Sequence, residues 1–188
     1  MKKWMAILGL AAVVSLSGCG QSAAPTESNE AGGAANGQAM EGMHHTSEGK
    51  LPEGLKEAAK PAFEKGAAVI LRDGHMAGME GAKGTVVGAF DTIAYAVTYT
   101  PTSGGEKVEN HKWVIQEEIQ GAGDVPLQPG AKVTLEADHM AGMQGAEAVI
   151  DSANPTTVYM VDYVPAAGGA PVKNHQWMTE DELESAAE

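Results

Sequence analysis

The sequence Thr92-Ile93-Ala94-Tyr95-Ala96-Val97-Thr98-Tyr99-Thr100 alternates large apolar side chains with small or polar ones. It recurs 64 residues later as Thr156-Thr157-Val158-Tyr159-Met160-Val161-Asp162-Tyr163-Val164. An alternation of period 2 is the pattern of a half-buried β-strand. The chain is therefore predicted to build one strand-rich unit twice.

The repetition extends far beyond this strand. Residues 66–118 align on 130–182 without a gap, with 24 identical positions of 53. The first copy is predicted to contain strands at 67–72, 84–90, 92–100 and 108–115, and then an acidic turn at 116–119. The second copy has the same elements at 131–136, 146–151, 156–164, 172–178 and 180–183. Several short strands with a Gly-rich loop and a final acidic turn predict an all-β protein of two tandem, small SH3-like barrels.

The first residues have the features of a bacterial export signal. Lys2 and Lys3 precede an apolar run from Met5 to Leu16, which is too short to span a bilayer. The sequence then resembles a lipobox, and the chain's one cysteine, Cys19, stands where that motif requires it. We expect residues 1–18 to be a signal peptide and Cys19 to carry lipid, which anchors the protein in the cell membrane on its extracytoplasmic face. The alternative is an ordinary signal peptide with a chance cysteine.

The next segment is predicted to tether the lipid to the folded part. Residues 19–50 are rich in Gly, Ala, Ser, Asn and Glu and have no apolar period, which is typical of a disordered linker. The first repeat is assigned to residues 51–121, with a short leading amphipathic helix at 51–63, and the second repeat to residues 122–188. The helix is suggested by Leu55, Ala59 and Phe63, which recur at helical spacing.

Charge and motifs exclude two broad classes of function. The formal net charge is −13, whereas a nucleic-acid-binding protein needs a basic face. Neither copy holds a recurring Ser, His and Asp context, a Walker loop or a dinucleotide fingerprint. We therefore expect neither a nucleic-acid partner nor an enzyme.

The two copies agree most closely in a segment of soft metal ligands. The sequence His75-Met76-Ala77-Gly78-Met79 recurs as His139-Met140-Ala141-Gly142-Met143, while charged positions between the shared segments differ. Thioether sulfur with imidazole suits monovalent copper better than hard cations. We therefore predict metal ligation by His75, Met76 and Met79, and by His139, Met140 and Met143. The alternative is that the methionines fill the end of each barrel, which is a common role of Met.

A second shared segment, Asn110-His111-Lys112-Trp113, recurs as Asn174-His175-Gln176-Trp177. His111 and His175 either complete a site of two Met and two His from across the barrel or form structural hydrogen bonds, and both interpretations stay open. Trp113 and Trp177 are expected to anchor the core. The other interpretation of each Trp is a cation–π contact with a bound monovalent ion.

Copper fits these residues better than other metals. Structural zinc sites use Cys and His, and calcium or magnesium sites use clusters of oxygen ligands. Neither set is present, because no cysteine is left for zinc and the acidic residues are scattered. The tether repeats the soft chemistry in Met40, Met43, His44 and His45, which form a candidate auxiliary site. The predicted ligand is copper, as Cu(I).

With these residues in place, the chain resembles the YdhK-type tandem-domain lipoproteins of Gram-positive bacteria, whose repeats carry DHM-x-GM-x-GA, TVYMVDY and NHKWV. The second copy matches this pattern closely, whereas the first has Gly74 in place of Asp and Ala96 in place of Met. Members of that family include staphylococcal lipoproteins that bind copper outside the membrane and protect against its toxicity. The resemblance implies copper sequestration here, with a weaker first site if Asp138 or Met160 contributes.

The sequence therefore predicts a lipid-anchored, extracytoplasmic protein that sequesters or buffers Cu(I) and contributes to copper tolerance. Its expected partners are the membrane, copper ions and a copper exporter. The alternative is a structural or cell-wall-binding module whose methionines only pack. Exposure separates the two hypotheses, because ligands must converge near the surface whereas packing residues are buried without converging.

Overall fold

A computed structural model describes residues 49–186 as an eight-stranded antiparallel β structure. The strands are β1 (Lys56–Glu57), β2 (Ala68–Leu71), β3 (Lys83–Tyr99), β4 (Val108–Ile115), β5 (Lys132–Thr134), β6 (Glu147–Val164), β7 (Val172–Thr179) and β8 (Leu183–Ser185). Short 3-10 helices occupy Gln116–Glu118 and Glu180–Glu182. The predicted all-β class is confirmed. In residues 49–186 no helix is long and apolar enough to cross a membrane.

The leading helix predicted at 51–63 is wrong. That segment holds turns and the short strand β1, which pairs with β3 through Lys56↔Asp91 and Glu57↔Phe90. Helical spacing over so few residues does not offset the cost of nucleating a helix, and Pro61 disfavours one further. Phe63 instead packs edge-on against Tyr159, with ring centroids 5.7 Å apart.

Two long strands, β3 and β6, form the centre of the fold. They pair antiparallel from Lys83↔Val164 to Tyr99↔Ala148, so each unites two strands that were predicted separately. Asp91, which separates two of the predicted strands, lies within β3, where its carboxylate accepts a hydrogen bond from Thr157 of β6 at 2.8 Å. The pairs Gly84↔Tyr163 and Tyr99↔Ala148 are related by the 64-residue offset. The two repeats are therefore related by an approximate two-fold axis.

Each hydrophobic core takes its residues from both repeats. The first lobe joins the first half of repeat one to the second half of repeat two, through Val69, Leu71, Met79, Ala82, Val86, Tyr159, Val161, Tyr163, Met178 and Leu183. The second lobe has the converse composition: Tyr95, Val97, Tyr99, Val114, Ile119, Leu135, Ala137, Met143, Ala146, Ala148 and Ile150. Two self-contained SH3-like barrels are thus not confirmed. Each repeat is continuous in sequence, but each lobe, which is the part that shares one hydrophobic core, combines halves of both repeats.

The period-2 positions of the two copies occupy equivalent places, as the alternation predicts. Tyr95 and Tyr159 are both fully buried, and so are Val97 and Val161. A third cluster contains Trp113 and Trp177 with residues of both long strands. In this cluster Phe90 packs edge-on against Trp177, with ring centroids 5.7 Å apart. The repeats therefore share one fold and bury the same face.

Candidate metal centres

The two His-Met loops have the same backbone conformation. Each connects a short strand to a long one, and each contains a turn in which the second Met N–H donates to the carbonyl of the first. The N···O distance is 3.3 Å for Met79 to Met76 and 3.1 Å for Met143 to Met140. Gly78 and Gly142 have φ of 82° and 77°, a left-handed conformation that favours glycine. Backbone geometry therefore explains why glycine stands between the methionines.

Each loop lies against a turn of the other repeat. The N–H of Ala166 donates to the carbonyl of Gly78 at 2.9 Å, and the N–H of Thr102 donates to that of Gly142 at 2.8 Å. A Cβ added to Gly78 would lie 3.1 Å from Cβ of Pro165, so the approach is close. Each loop is thus positioned by a turn of the other repeat as well as by hydrogen bonds within its own repeat.

The Asn-His segments are placed by irregular strand pairing. Asn110 and Asn174 have φ of 50° and 51°, a region that Asn tolerates better than most residues. The pairings of β4 with β3 and of β7 with β6 both shift register beside these residues. This conformation sets His111 opposite Val97 and His175 opposite Val161. Left-handed backbone explains the shared Asn, to which the sequence interpretation gave no role.

In the first lobe, histidines of the two repeats meet. The rings of His75 and His175 are stacked, with centroids 5.9 Å apart. His175 also contacts Tyr163 edge-on at 5.7 Å. Met76 is half-buried and packs against the cluster that contains Tyr163. His75 of the first repeat thus meets His175 of the second, and Met76 packs in the same lobe.

In the second lobe, side chains of the two repeats meet at Tyr99. Tyr99 contacts the ring of His111 edge-on at 5.9 Å and its hydroxyl donates to the sulfur of Met140 at 3.7 Å. His139, which precedes Met140, lies beside Trp177 with ring centroids 6.5 Å apart. The first repeat supplies His111 here, and the second supplies His139 and Met140.

The other two loop methionines are placed differently. Met79 and Met143 are fully buried and belong to the hydrophobic cores of the first and second lobes. Met76 and Met140 remain half-buried. Of each predicted Met pair, the structure therefore gives the second member a packing role and leaves the first beside the histidines.

Two buried carboxylates complete the centres, and sequence reasoning missed both. Glu118 lies 2.6 Å from Nε2 of His139 and accepts hydrogen bonds from the indole of Trp177 at 3.2 Å and from the N–H of Ile115 at 3.1 Å. Carboxylates commonly orient metal-ligating histidines in this way. The available signal was the acid retained five residues after the Trp in both copies, which we interpreted only as part of an acidic turn.

The equivalent carboxylate of the first lobe is held more loosely to its histidine. Glu182 accepts from the indole of Trp113 at 2.8 Å and from the N–H of Thr179 at 2.9 Å. Its Oε1 lies 3.7 Å from Nδ1 of His75, beyond hydrogen-bonding distance. The two tryptophans thus donate hydrogen bonds to buried carboxylates from within the core. The face of Trp113 also contacts Lys112, whose Nζ lies 5.1 Å from the ring centroid.

The loop imidazoles are in a state suited to ligation. Nδ1 of His139 is buried and has no hydrogen-bond partner among the described residues, whereas the buried ring of His75 interacts with the backbone of Trp177. Burial lowers the pKa of His75 below its usual value, and the Glu182 carboxylate opposes this effect. Near neutral pH this imidazole is therefore uncharged, the form that binds a metal.

The candidate ligands differ from a cluster of hard ligands. Within residues 49–186, no three His, Cys, Asp or Glu side chains are grouped as a metal site of those residues would require. The loops instead pair histidine with methionine, whose thioether favours soft ions. The predicted lipid-bearing Cys19 and the auxiliary cluster Met40, Met43, His44 and His45 lie outside the described residues.

Comparison with known proteins finds close relatives. The family described as "Protein of unknown function (DUF1541)" matches residues 65–116 and 129–180. "Uncharacterized protein YdhK" of Bacillus subtilis (strain 168) is 52% identical over 179 residues, which cover 95% of this chain and 87% of that protein. A crystal structure of this DUF1541 family protein is similar with a TM-score of 0.75 and 58% identity, over 77% of this chain and 98% of that chain. A solution NMR structure of the YdhK C-terminal domain is similar with a TM-score of 0.63 and 61% identity, over 65% of this chain and 93% of that chain.

Proposed function

The chain belongs to the DUF1541 family, and we propose that it is a lipid-anchored extracytoplasmic protein that binds Cu(I) at two sites, one in each lobe. The observation that carries this proposal is the meeting of candidate ligands from opposite repeats in each lobe. His75 stacks on His175 in the lobe where Met76 packs, and Tyr99 contacts both His111 and Met140. A set of neutral nitrogen and sulfur donors favours a soft ion of low charge.

The proposed ligand sets follow from the lobes. The first site uses His75 and Met76 of repeat one with His175 of repeat two. The second site uses His139 and Met140 of repeat two with His111 of repeat one. Glu182 and Glu118 act as positioning residues, because each lies beside the loop histidine of its lobe. Their charge also compensates that of a bound cation.

The physiological role follows from location and ligand type. A protein held outside the membrane by lipid on Cys19 would capture copper before it enters the cell and buffer it or pass it to an exporter. Thioether ligation persists in an oxidising exterior, where a thiolate site would be oxidised or bridged. The role proposed is therefore copper sequestration that contributes to copper tolerance, with no chemical reaction catalysed.

One observation favours the alternative of a non-metal structural or cell-wall-binding module. Met79 and Met143 are buried in the cores, as packing residues would be. The same explanation does not extend to His139, whose buried Nδ1 has no hydrogen-bond partner among residues 49–186. A buried polar atom left in that state costs free energy in a purely structural role.

The function is tested by anaerobic titration of the mature protein with Cu(I) against a chromogenic chelator. We expect two equivalents bound per folded chain and no comparable affinity for zinc or calcium, because the ligands are soft. A protein that begins at residue 49 should keep both equivalents. Failure to bind copper contradicts the proposal, and retention only when residues 40–45 are present assigns binding to Met40, Met43, His44 and His45.

Replacement of Cys19 by Ala tests the anchor. The expected result is loss of fatty-acid incorporation and release of the protein from the membrane fraction, because several acyl chains supply the membrane affinity, at roughly 0.8 kcal/mol per buried methylene. Metabolic labelling with a fatty acid and cell fractionation measure both effects. Continued labelling of the Cys19→Ala protein would show that the lipid, if any, is attached elsewhere.

A further inference from the structure

We propose that the two sites are unequal, and that the site at His139 in the second lobe fills first and binds the monovalent cation more tightly. This inference rests on the proposed function and adds to it an order of filling and the residue that sets the order. Two independent features of the second lobe support it: a buried carboxylate without an ammonium partner, and an acidic cleft that leads to the histidine.

The first lobe already contains a cation. Nζ of Lys112 lies 3.7 Å from Oε1 of the buried Glu182 and 3.7 Å from Oδ2 of Asp73. Oε1 of Glu182 is also the atom that faces His75. Lys112 therefore compensates the carboxylate and competes with the histidine for it. A metal ion that binds at His75 must do so beside a fixed positive charge.

Among the described residues, no lysine or arginine pairs with the equivalent carboxylate of the second lobe, Glu118. Gln176 stands at the position equivalent to Lys112, and its amide donates to the carbonyl of Lys50 at 3.2 Å. Within residues 49–186, Glu118 has one ion-pair partner, His139, whose Nε2 lies 2.6 Å away. A metal ion that binds at His139 therefore lies beside a buried carboxylate with which no ammonium group is paired.

The surface at the second site is also more acidic. A cleft of about 870 Å3 opens beside His139 and Gln176 and is lined by Glu53, Glu117, Glu118, Glu136 and Asp138, with Lys50 as its basic residue. The first lobe has Arg72 in place of Glu136 and Gly74 in place of Asp138. Acidic clefts concentrate cations.

A candidate ligand residue, His139, belongs to this cleft's lining. The His139 side chain is 5% exposed, and its Nδ1 has no hydrogen-bond partner among the described residues. Since Glu118 occupies the Nε2 side of the ring, Nδ1 is the nitrogen available to a metal. The acidic cleft thus leads to an oriented imidazole, which is the arrangement of a metal entry path.

The size of the difference follows from Coulomb's law. One ammonium within several ångströms of a bound cation, at an effective dielectric constant of about 20 and with solvent screening, changes the dissociation constant on the order of tenfold. Lys112 is partly exposed, so screening applies to it. We expect the Kd of the first site to exceed that of the second by about this factor.

The experiment uses the mature protein labelled with 13C at its methionine methyl groups and titrated with Cu(I) under anaerobic, reducing conditions. The methyl resonances of Met140 and Met76 report the two sites separately. We expect the Met140 signal to complete its shift below one equivalent and the Met76 signal to move mainly between one and two equivalents. Ag(I), a soft monovalent ion stable in air, should give the same order.

Two charge variants test the cause. Lys112→Gln should tighten the first site about tenfold, so that both methyl signals shift together. Gln176→Lys should weaken the second site by a similar factor. Lys107→Gln is the matched control, because it removes one positive charge from an exposed pair with Glu109. It should leave the order of filling unchanged.

The outcomes are distinguishable. Simultaneous shifts in the wild-type protein, or charge variants that behave like Lys107→Gln, overturn the inequality but leave copper binding intact. Absence of any methyl shift overturns the proposed function as well. Amide spectra of each variant establish that it is folded. If Lys112→Gln does not fold, Gln176→Lys alone tests whether the charge at this position sets the order of filling.

Discussion

Replacing Met76 and Met140 together by leucine is expected to reduce Cu(I) binding from two equivalents to none while the protein stays folded. Both side chains are half-buried beside the histidines of their lobes. Leucine keeps volume and apolarity, and such an exchange usually costs less than about 1.5 kcal/mol of stability. It removes the thioether, without which no soft donor remains beside the imidazoles. Anaerobic titration measures binding, and thermal unfolding of the metal-free protein verifies the fold.

The matched control exchanges the other loop methionines, Met79 and Met143, for leucine. These are fully buried in the cores, so the double variant should bind two equivalents of Cu(I) with unchanged competition against the chelator. The single variant Met140→Leu should lose one equivalent only. If substitution of Met79 and Met143 abolishes copper binding and substitution of Met76 and Met140 does not, the ligands have been assigned to the wrong sulfurs.

Separating the repeats is expected to abolish folding of both halves as monomers. Fragments 51–121 and 122–188 each contain half of the residues of each core, since Val69 packs in one lobe and Tyr95 in the other. A unit of this size has little core to lose. Each fragment alone should give a collapsed amide spectrum, and an equimolar mixture should restore the dispersion of the intact protein.

The control is the intact chain with a protease site inserted at Gly121–Gly123, where both glycines have positive φ and no neighbour within 4 Å of an added Cβ. The uncut protein should be folded, which shows that the inserted site itself does not disturb the fold. A fragment that is monomeric by light scattering and gives dispersed resonances would show that a repeat is a self-contained barrel.

The sequence was sufficient to predict where most of the strands lie, but not β1, β8 or the continuity of β3 and β6. The predicted strand at 108–115 has the same bounds in the structure, and the equivalence of Tyr95 with Tyr159 is confirmed. Period-2 alternation reports which face of a strand is buried, and a repeat without gaps carries that face to the second copy. It does not report which strand covers the face. The alternation therefore could not predict that each lobe combines residues of both repeats.

The site was predicted in part for the same reason. The loop histidines, Met76 and Met140 were found because soft ligands recur at fixed spacing. Glu118 was missed because its indole partner, Trp177, lies 59 residues away and an acid in an acidic turn is usually solvated. The burial of Met79 could not be predicted from the sequence either. Met76 and Met79 lie three residues apart in one loop, and the conformation of the turn decides which of them enters the core of the first lobe.

The most direct test of the crossed sites is anomalous diffraction at the copper edge from crystals grown with Cu(I) under reducing conditions. The account predicts two peaks per chain, each bonded to one methionine sulfur and to histidines of both repeats. The first peak should contact Met76, His75 and His175, and the second Met140, His139 and His111. The absence of both peaks, or copper bound by residues of a single repeat, would contradict it.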